Sequence, residues 1–453
     1  MQRTMYAGLA LGVAIVATPS VTPAQTAGRQ AHRHVRQHEQ HTSAALRLPG
    51  HSMTMLDLGG GWQLMGMAQA FPIGTGGEAF HDAAPLDAQD VYLTQPAIMA
   101  NLASPQSRFV LRTTFNFEGW TQRDGEITYG GWGEGFIDKR HPHTLVHEAM
   151  LSFNAWDAAG GSFSLSAGKG FAPYGTDDPM SRPTVKFPTN HHLSQILERF
   201  TVNAVYLHRS GLSLEAGVFG GDEPEDPYDF SNIESFGNSF SARIAQRLGN
   251  GYGPFSPWEI SASYARVEET HHESTAVTHL LNAAVRHEQE YAFGSVYALV
   301  EASRSEVRGP AEGYYALLGE TRLGLGSEGR YQPYYRIELS TRPEYARNGT
   351  PGMPGFFRYD HDHAGVLGAS RWLINTIGYG VELGGEPVSV MPFVELQHSR
   401  VRRERGDVDP AALFGRDEFW SATAGFRLYF GGGSMRMGSY GVLDPMSAAM
   451  RSD

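Results

Sequence analysis

Histidine offers the most chemistry in this sequence of 453 residues, 19 of which are His. His141, His143, His147 and Glu148 fall in the run His-Pro-His-Thr-Leu-Val-His-Glu, and His191 and His192 end a later Pro-rich segment. Further groups are His271-His272-Glu273 and His361-Asp362-His363. Imidazole and carboxylate oxygen are ligands for copper and zinc. On a strand, His141 and His143 would project from one face, the two-apart spacing that a β ligand pair needs. The candidate metal ligands are therefore His141, His143, His147, Glu148, His191 and His192. The competing reading has these histidines bonded to backbone and neighbouring loops. A second group is compositional: His32, His34, His38, His41 and His51 precede Met53 and Met55, and Met435, Met437, Met446 and Met450 lie near the C-terminus. Thioethers suit Cu(I) and Ag(I), although polar tails also tolerate such residues without binding anything. No cofactor is required by the sequence; copper and zinc are the candidate ions.

Catalysis has weaker support. An enzyme needs a positioned nucleophile and base, and the best Ser/His grouping, His272-Glu273-Ser274, sits in a polar loop. There is no phosphate-binding glycine loop or zinc-protease motif.

The elements that would position these residues begin with the leader. Met1 to Ala24 has a basic start at Arg3, an apolar run from Ala7 to Ala17 and a looser end at Thr22-Pro23-Ala24. This is the layout of a secretory signal peptide; the apolar run is too short for a membrane anchor. The chain has no Cys, so an exported product would rely on packing and hydrogen bonds rather than disulfides. A net charge of −12 argues against nucleic acid as a partner.

From about Val110 onward the sequence alternates in runs of roughly ten residues, the signature of strands with one apolar face. Leu111, Thr113, Phe115 and Phe117 oppose Arg112, Thr114, Asn116 and Glu118. The same holds for Leu212–Val218, for Trp258–Tyr264 and for Tyr331–Ser340. Trp420, Ala422, Ala424, Phe426, Leu428 and Phe430 share one face of a last strand that ends on an aromatic residue. Short connections near 157–161, 210, 249–255, 288–290, 326–328 and 374–377 alternate with long ones near 120–144, 171–197, 221–235, 269–275, 305–312, 342–362 and 402–415. Such alternation fits a transmembrane barrel with tight turns at one rim and long loops at the other.

These patterns predict an all-β chain: a single antiparallel transmembrane β-barrel of about 14 strands (range 12 to 16), running from about Phe109 to Phe430. Residues 376–399 are expected to form one long strand bulged at Gly384-Gly385. The organisation expected is a signal peptide (1–24), a flexible His/Met lead-in (25–58), a pre-barrel segment (59–105) that is an extra strand or a plug, the barrel (106–430), and a short Met-containing tail (431–453). Both termini would lie in the periplasm. Charges on the polar faces, Arg112, Glu118, Glu148, Lys169, Glu215, Glu259, Glu301, Arg336, Glu338 and Arg427, would point into the lumen. There they would either line a pore and select ions or pair across the lumen and close it.

The stretches Phe136–Glu148, with its Asp-x-x-His-Pro-His segment, and Pro173–His192, a Pro-rich loop ending in His-His, resemble a poorly characterised family of bacterial outer-membrane β-barrel proteins. Thr144 stands where an acid is expected after His-Pro-His. The resemblance implies an association with heavy-metal (copper or cation-efflux) systems. Three functions follow as expectations. The leading one is a porin-like channel linked to transition-metal transport or tolerance; the others are a non-conducting metal-binding barrel and a lipid-modifying membrane enzyme. Membrane lipid and small ions or solutes are the expected partners, and no residue argues for a particular oligomer.

Overall fold

The computed structural model describes residues 54–77, 89–121, 144–189, 191–224, 227–229, 233–249, 256–271, 274–306, 313–326, 329–345, 366–385, 387–407, 409, 416–431 and 436–451. The strands are β1 (Thr54–Gly59), β2 (Trp62–Gly77), β3 (Gln89–Ala103), β4 (Phe109–Asn116), β5 (Val146–Ala158), β6 (Gly161–Gly170), β7 (Arg199–His208), β8 (Leu212–Phe219) and β9 (Ser239–Leu248). They continue as β10 (Trp258–His271), β11 (Ser274–Tyr291), β12 (Gly294–Glu306), β13 (Tyr314–Leu325), β14 (Tyr331–Tyr345), β15 (Val366–Val381), β16 (Leu383–Gly385), β17 (Val388–Gly406) and β18 (Glu418–Phe430).

Every long strand from β2 onward pairs antiparallel with the next long strand, β15 with β17 past the short β16, and β18 pairs back onto β2 through Ser421↔Gly77 to Phe430↔Ala68. The result is a closed barrel of 16 strands plus two short extras, β1 and β16. Closure leaves the wall of sixteen strands without a free sheet edge among the described residues. β1 pairs only with residues 62–66 of β2, the part of β2 that β18 does not reach, so it continues the lane of β18 beyond Phe430. Gly59, Gly60 and Gly61 all take positive φ in the β1–β2 turn, a backbone shape that β-carbons disfavour.

Alternation along each strand decides which side is apolar, and it is the reverse of a soluble protein. Mid-strand Val300, Ile377 and Val394 are 57%, 59% and 56% exposed on the outside, whereas Glu301 and Arg336 are 0% exposed inside. Trp62, Trp258, Tyr291, Phe293, Tyr331, Tyr379 and Phe430 stand exposed close to the rim of short turns.

Several sequence expectations are corrected. The barrel has 16 strands, the upper end of the expected 12 to 16 and above the central figure of about 14. The stretch from Phe109 to Phe430 does supply fourteen of them, and the other two, β2 and β3, come from the segment 59–105. Their small or hydrogen-bondable residues (Gly66, Gln69, Gly74, Thr94, Gln95) blur the alternation. Residues 376–399 form a hairpin, not one bulged strand: β15 ends at Val381, and β17 runs back from Val388 against it. The turn expected at 374–377 is mid-strand, and the chain has reversed by Val388, which pairs back onto Gly385. The 269–275 connection is also short, because β10 and β11 pair out to His271↔Ser274. Part of the expected lead-in, Thr54–Leu58, is strand; the signal peptide and the remaining lead-in lie outside the described residues.

Candidate functional site: the filled lumen

The inner wall carries many charged side chains, and two segments of the chain enter to meet them. The first is the connection from β6 to β7, residues 171–198. Its composition explains why it turns inward: Phe171, Tyr174, Met180, Val185, Phe187 and Ile196 are all buried. Gly175 is needed where this segment folds on itself, since its φ is +68° and a β-carbon would lie 1.6 Å from the Ser194 carbonyl oxygen.

The wall recognises this segment through its backbone. Arg336 donates to the carbonyl of Lys186 at 2.6 Å, and Arg427 donates to the carbonyls of Arg182 (3.1 Å) and Pro183. In return Glu395 accepts from the Val185 amide (2.7 Å) and Glu338 from the Thr189 amide (2.8 Å). Side chains add Arg182–Glu301 at 3.4 Å and Lys186 Nζ to Ser421 Oγ at 2.7 Å. Four prolines (Pro173, Pro179, Pro183, Pro188) leave many carbonyls of this segment without a local amide donor, which the wall arginines replace. Burial, set against the nearby Glu395 carboxylate, lowers the Lys186 ammonium to about 8; the Arg336 guanidinium adds to the lowering.

The second segment is the C-terminal tail. β18 ends at Phe430 at the short-turn rim, and residues 436–450 then occupy the lumen. Arg436 pairs with Asp177 (2.9 Å) and Glu259 (3.3 Å). Tyr440 donates to Glu148 at 2.8 Å and accepts the Phe171 amide at 3.0 Å, tying tail, wall and loop together. Asp444 caps the short helix Pro445–Ala449 by accepting the Met446 amide, and it pairs with Arg112 at 3.3 Å. Pro directly after the Asp cap favours a helix start there. Around these contacts run Arg243 to Glu215 (2.9 Å) and Glu259 (2.6 Å), Arg247 to Glu259 (2.9 Å) and Arg286 to Asp177 (3.3 Å).

The predicted site residues can now be placed. Arg112, Glu215, Glu259, Arg336, Glu338 and Arg427 are buried on the inner faces of their strands. Glu118 is buried in a short helix after β4 and accepts from the Gln95 amide. Each is engaged with a neighbour, and Arg112, Glu259, Arg336, Glu338 and Arg427 bond the inserted segments directly. Of the candidate metal ligands, His147 is buried with Nδ1 2.5 Å from Glu198 and Nε2 3.8 Å from Asp178. Glu148 is bonded to Arg112, Thr114 and Tyr440. The two are adjacent in sequence but serve different networks. His141 and His143 lie outside the described residues, as do His272, His361 and His363, and the side chains of His191 and His192 are likewise not described. Among the described residues no group of three or more His, Cys, Asp or Glu is arranged to hold a metal.

Sequence reasoning missed both insertions, taking 171–197 as a polar outer loop and 431–453 as a free tail. A signal was present for each. Unlike the polar lead-in, the tail carries Met437, Tyr440, Val442, Leu443, Met446 and Met450 beside a helix-start Asp-Pro pair, and apolar residues at this density need cover.

No family model matches the chain, and no curated protein matches it. Among solved structures it is similar to OprB of Pseudomonas putida (9% identity, TM-score 0.49, covering 82% of this chain and 94% of that one). It is also similar to the outer-membrane channel DcaP of Acinetobacter baumannii (9% identity, TM-score 0.49, 83% and 99%) and to OmpT of Vibrio cholerae (10% identity, TM-score 0.46, 83% and 100%). Likeness at this level bears on neither the activity nor the cargo of this chain.

Proposed function

We propose that this chain is an outer-membrane barrel of the porin-like kind, held closed by its own 171–198 segment and C-terminal tail. The observation that carries the reading is the inverted barrel. Sixteen strands close on themselves with apolar side chains outward and charged ones inward, an arrangement stable in hydrocarbon and unfavourable in water. Short turns at the rim where β18 ends and long connections at the other fit a periplasmic and an outer face, with the C-terminus periplasmic. The tail, anchored by few backbone bonds and several ion pairs, is the movable closure; the 171–198 segment is bonded to many strands and stays in place.

Ions are the proposed cargo. Copper and zinc are the first to try, because the His-Pro-His run falls in the long connection between β4 and β5. A non-conducting barrel is the second reading, favoured by the same ion pairs that fill the lumen. Planar-bilayer recording separates the two, using the full chain and a chain ended after Phe430, each checked for heat-modifiable migration. Small or rare steps from the full chain and large, stable steps from the shortened one support a tail-closed channel. Silence from both supports the non-conducting barrel, and large steps from the full chain overturn the closed-lumen reading. If copper or zinc blocks the current, His141→Ala should relieve the block.

A further inference from the structure

Methionine is distributed unevenly through this barrel. Met65, Met67, Met99, Met180, Met437, Met446 and Met450 fall in one buried cluster, where they are seven of eleven residues, beside Ala97, Ala103, Val110 and Phe187. The chain has 15 Met in all, and the other buried clusters among the described residues are built from Ala, Val, Leu, Ile and aromatic residues with a single Met among them. A core needing only to fill space usually employs Leu, Ile, Val and Phe, which have better-defined rotamers. Here neither Leu nor Ile appears, and the sulfurs come from four parts of the chain: β2, β3, the inserted 171–198 segment and the tail.

Register places part of the cluster closely. Met67 and Met99 are direct cross-strand partners, and Met65 pairs with Asn101 two residues along on the same inward face. Side chains so related lie within contact of one another. Asn101 is 4% exposed, and its Oδ1, a buried acceptor, has no hydrogen-bond partner among the described residues. A buried orphan carbonyl oxygen is costly unless something electropositive meets it. Met446 and Met450 are one helical turn apart, on one face of the tail helix that belongs to the same cluster. Arg112, opposite Asn101 in the β3–β4 ladder, is already engaged by two carboxylates, Glu148 and Asp444.

We propose that this methionine cluster is a binding site for a soft monovalent cation, copper(I) or silver(I), held by thioether sulfur with the Asn101 carbonyl oxygen alongside. Thioethers select such ions over zinc and need no deprotonation to bind them. Uptake should therefore persist at about pH 5, where imidazole ligands are lost to protonation. The site stands whether or not the barrel conducts.

The test uses the folded full chain in detergent with silver nitrate, measuring silver retained after desalting and its coordination by X-ray absorption. The expected result is retained silver at about pH 5 with sulfur neighbours. Met67→Leu with Met99→Leu, a swap that keeps volume, should weaken retention by roughly tenfold or more. Met391→Leu, buried elsewhere on the inner wall, should change nothing. Should the double variant misfold, Met446→Leu in the tail tests the same claim without altering a strand. No retention by the parent protein, a shell dominated by nitrogen or oxygen, or undiminished binding by folded Leu variants would each overturn the proposal, and conductance enters none of these readouts.

Discussion

Arg112 on β4 and Asp444 at the start of the tail helix are buried together, 3.3 Å apart, although 332 residues separate them in sequence. Arg112 also reaches Glu148 at 3.3 Å, so one guanidinium bridges a wall carboxylate and a tail carboxylate. Burial raises the Asp444 carboxyl, partly offset by Arg112 and by the Met446 amide. Removing one partner of such a pair leaves uncompensated charge in the lumen, a loss of about 3–5 kcal/mol. Arg112→Gln should therefore release the tail while the barrel stays folded. Trypsin cleavage near Arg436 and Arg451, resisted by the parent protein, reads this directly; equal resistance in the variant would show that the tail is held by packing instead.

Gly441 offers a way to displace the tail without touching a wall charge. Its φ is +65°, and a β-carbon there would lie 2.1 Å from the Ser164 hydroxyl oxygen on β6. Gly441→Val should expel the tail, increasing both protease sensitivity and single-channel conductance to the level of the chain ended at Phe430. Ser164→Gly in the same chain should restore part of the closure.

Lys186 makes the inserted loop pH-sensitive. Its folded-state pKa, lowered by burial to about 8, lies below the ordinary 10.5, so between these values the unfolded chain binds more protons than the folded one. Stability contributed by this group is absent below about 8, rises as pH climbs from there to 10.5, and is then fully present. Refolding equilibria in lipid should show this rise in the parent protein, with Lys186→Met flattening it. An unchanged slope in the variant would place the titration elsewhere.

The outer wall is tested at Val300, midway along β12 and 57% exposed. In a bilayer Val300→Arg should cost about 2–4 kcal/mol of folding free energy, the depth-dependent cost of a midplane cation. In a barrel that works in water the same change would be nearly neutral. Urea titration of folding into vesicles distinguishes the two.

His147 should matter for stability before it matters for metal. With Glu198 at 2.5 Å and Asp178 at 3.8 Å from its two ring nitrogens, it joins β5 to the inserted loop. His147→Ala should lower the unfolding temperature in detergent while leaving silver retention unchanged. Lost silver binding in a folded variant would extend the soft-cation site to this residue.

Much of the architecture is legible in the sequence because alternation is a local property. Leu111 against Arg112, Ile260 against Glu259 and Phe426 against Arg427 report which side of the wall each residue faces, and the structure places each pair accordingly. Where alternation fades, the sequence supports only an extra strand or a plug. Gln69, Thr94 and Gln95 in β2 and β3 face inward, but polar residues next to Gly and Pro do not look like strand. A bulge at Gly384-Gly385 is the expectation that keeps an even strand count with both termini on one side when β2 and β3 are not counted as a pair; only the partner strands reveal the reversal.

By itself, then, the sequence determined a chain of antiparallel strands with one apolar and one charged face, closing at Phe430. These are features that nearest neighbours and a two-residue period decide. What occupies the lumen was decided only by the tertiary structure. Arg336 meeting the Lys186 carbonyl, Arg112 meeting Asp444 and Met67 meeting Met450 in one cluster depend on residues up to hundreds of positions apart. A charge facing inward reads the same in sequence whether it lines open water or grips a plug, because the period that places it on the inner face carries no information about what stands opposite.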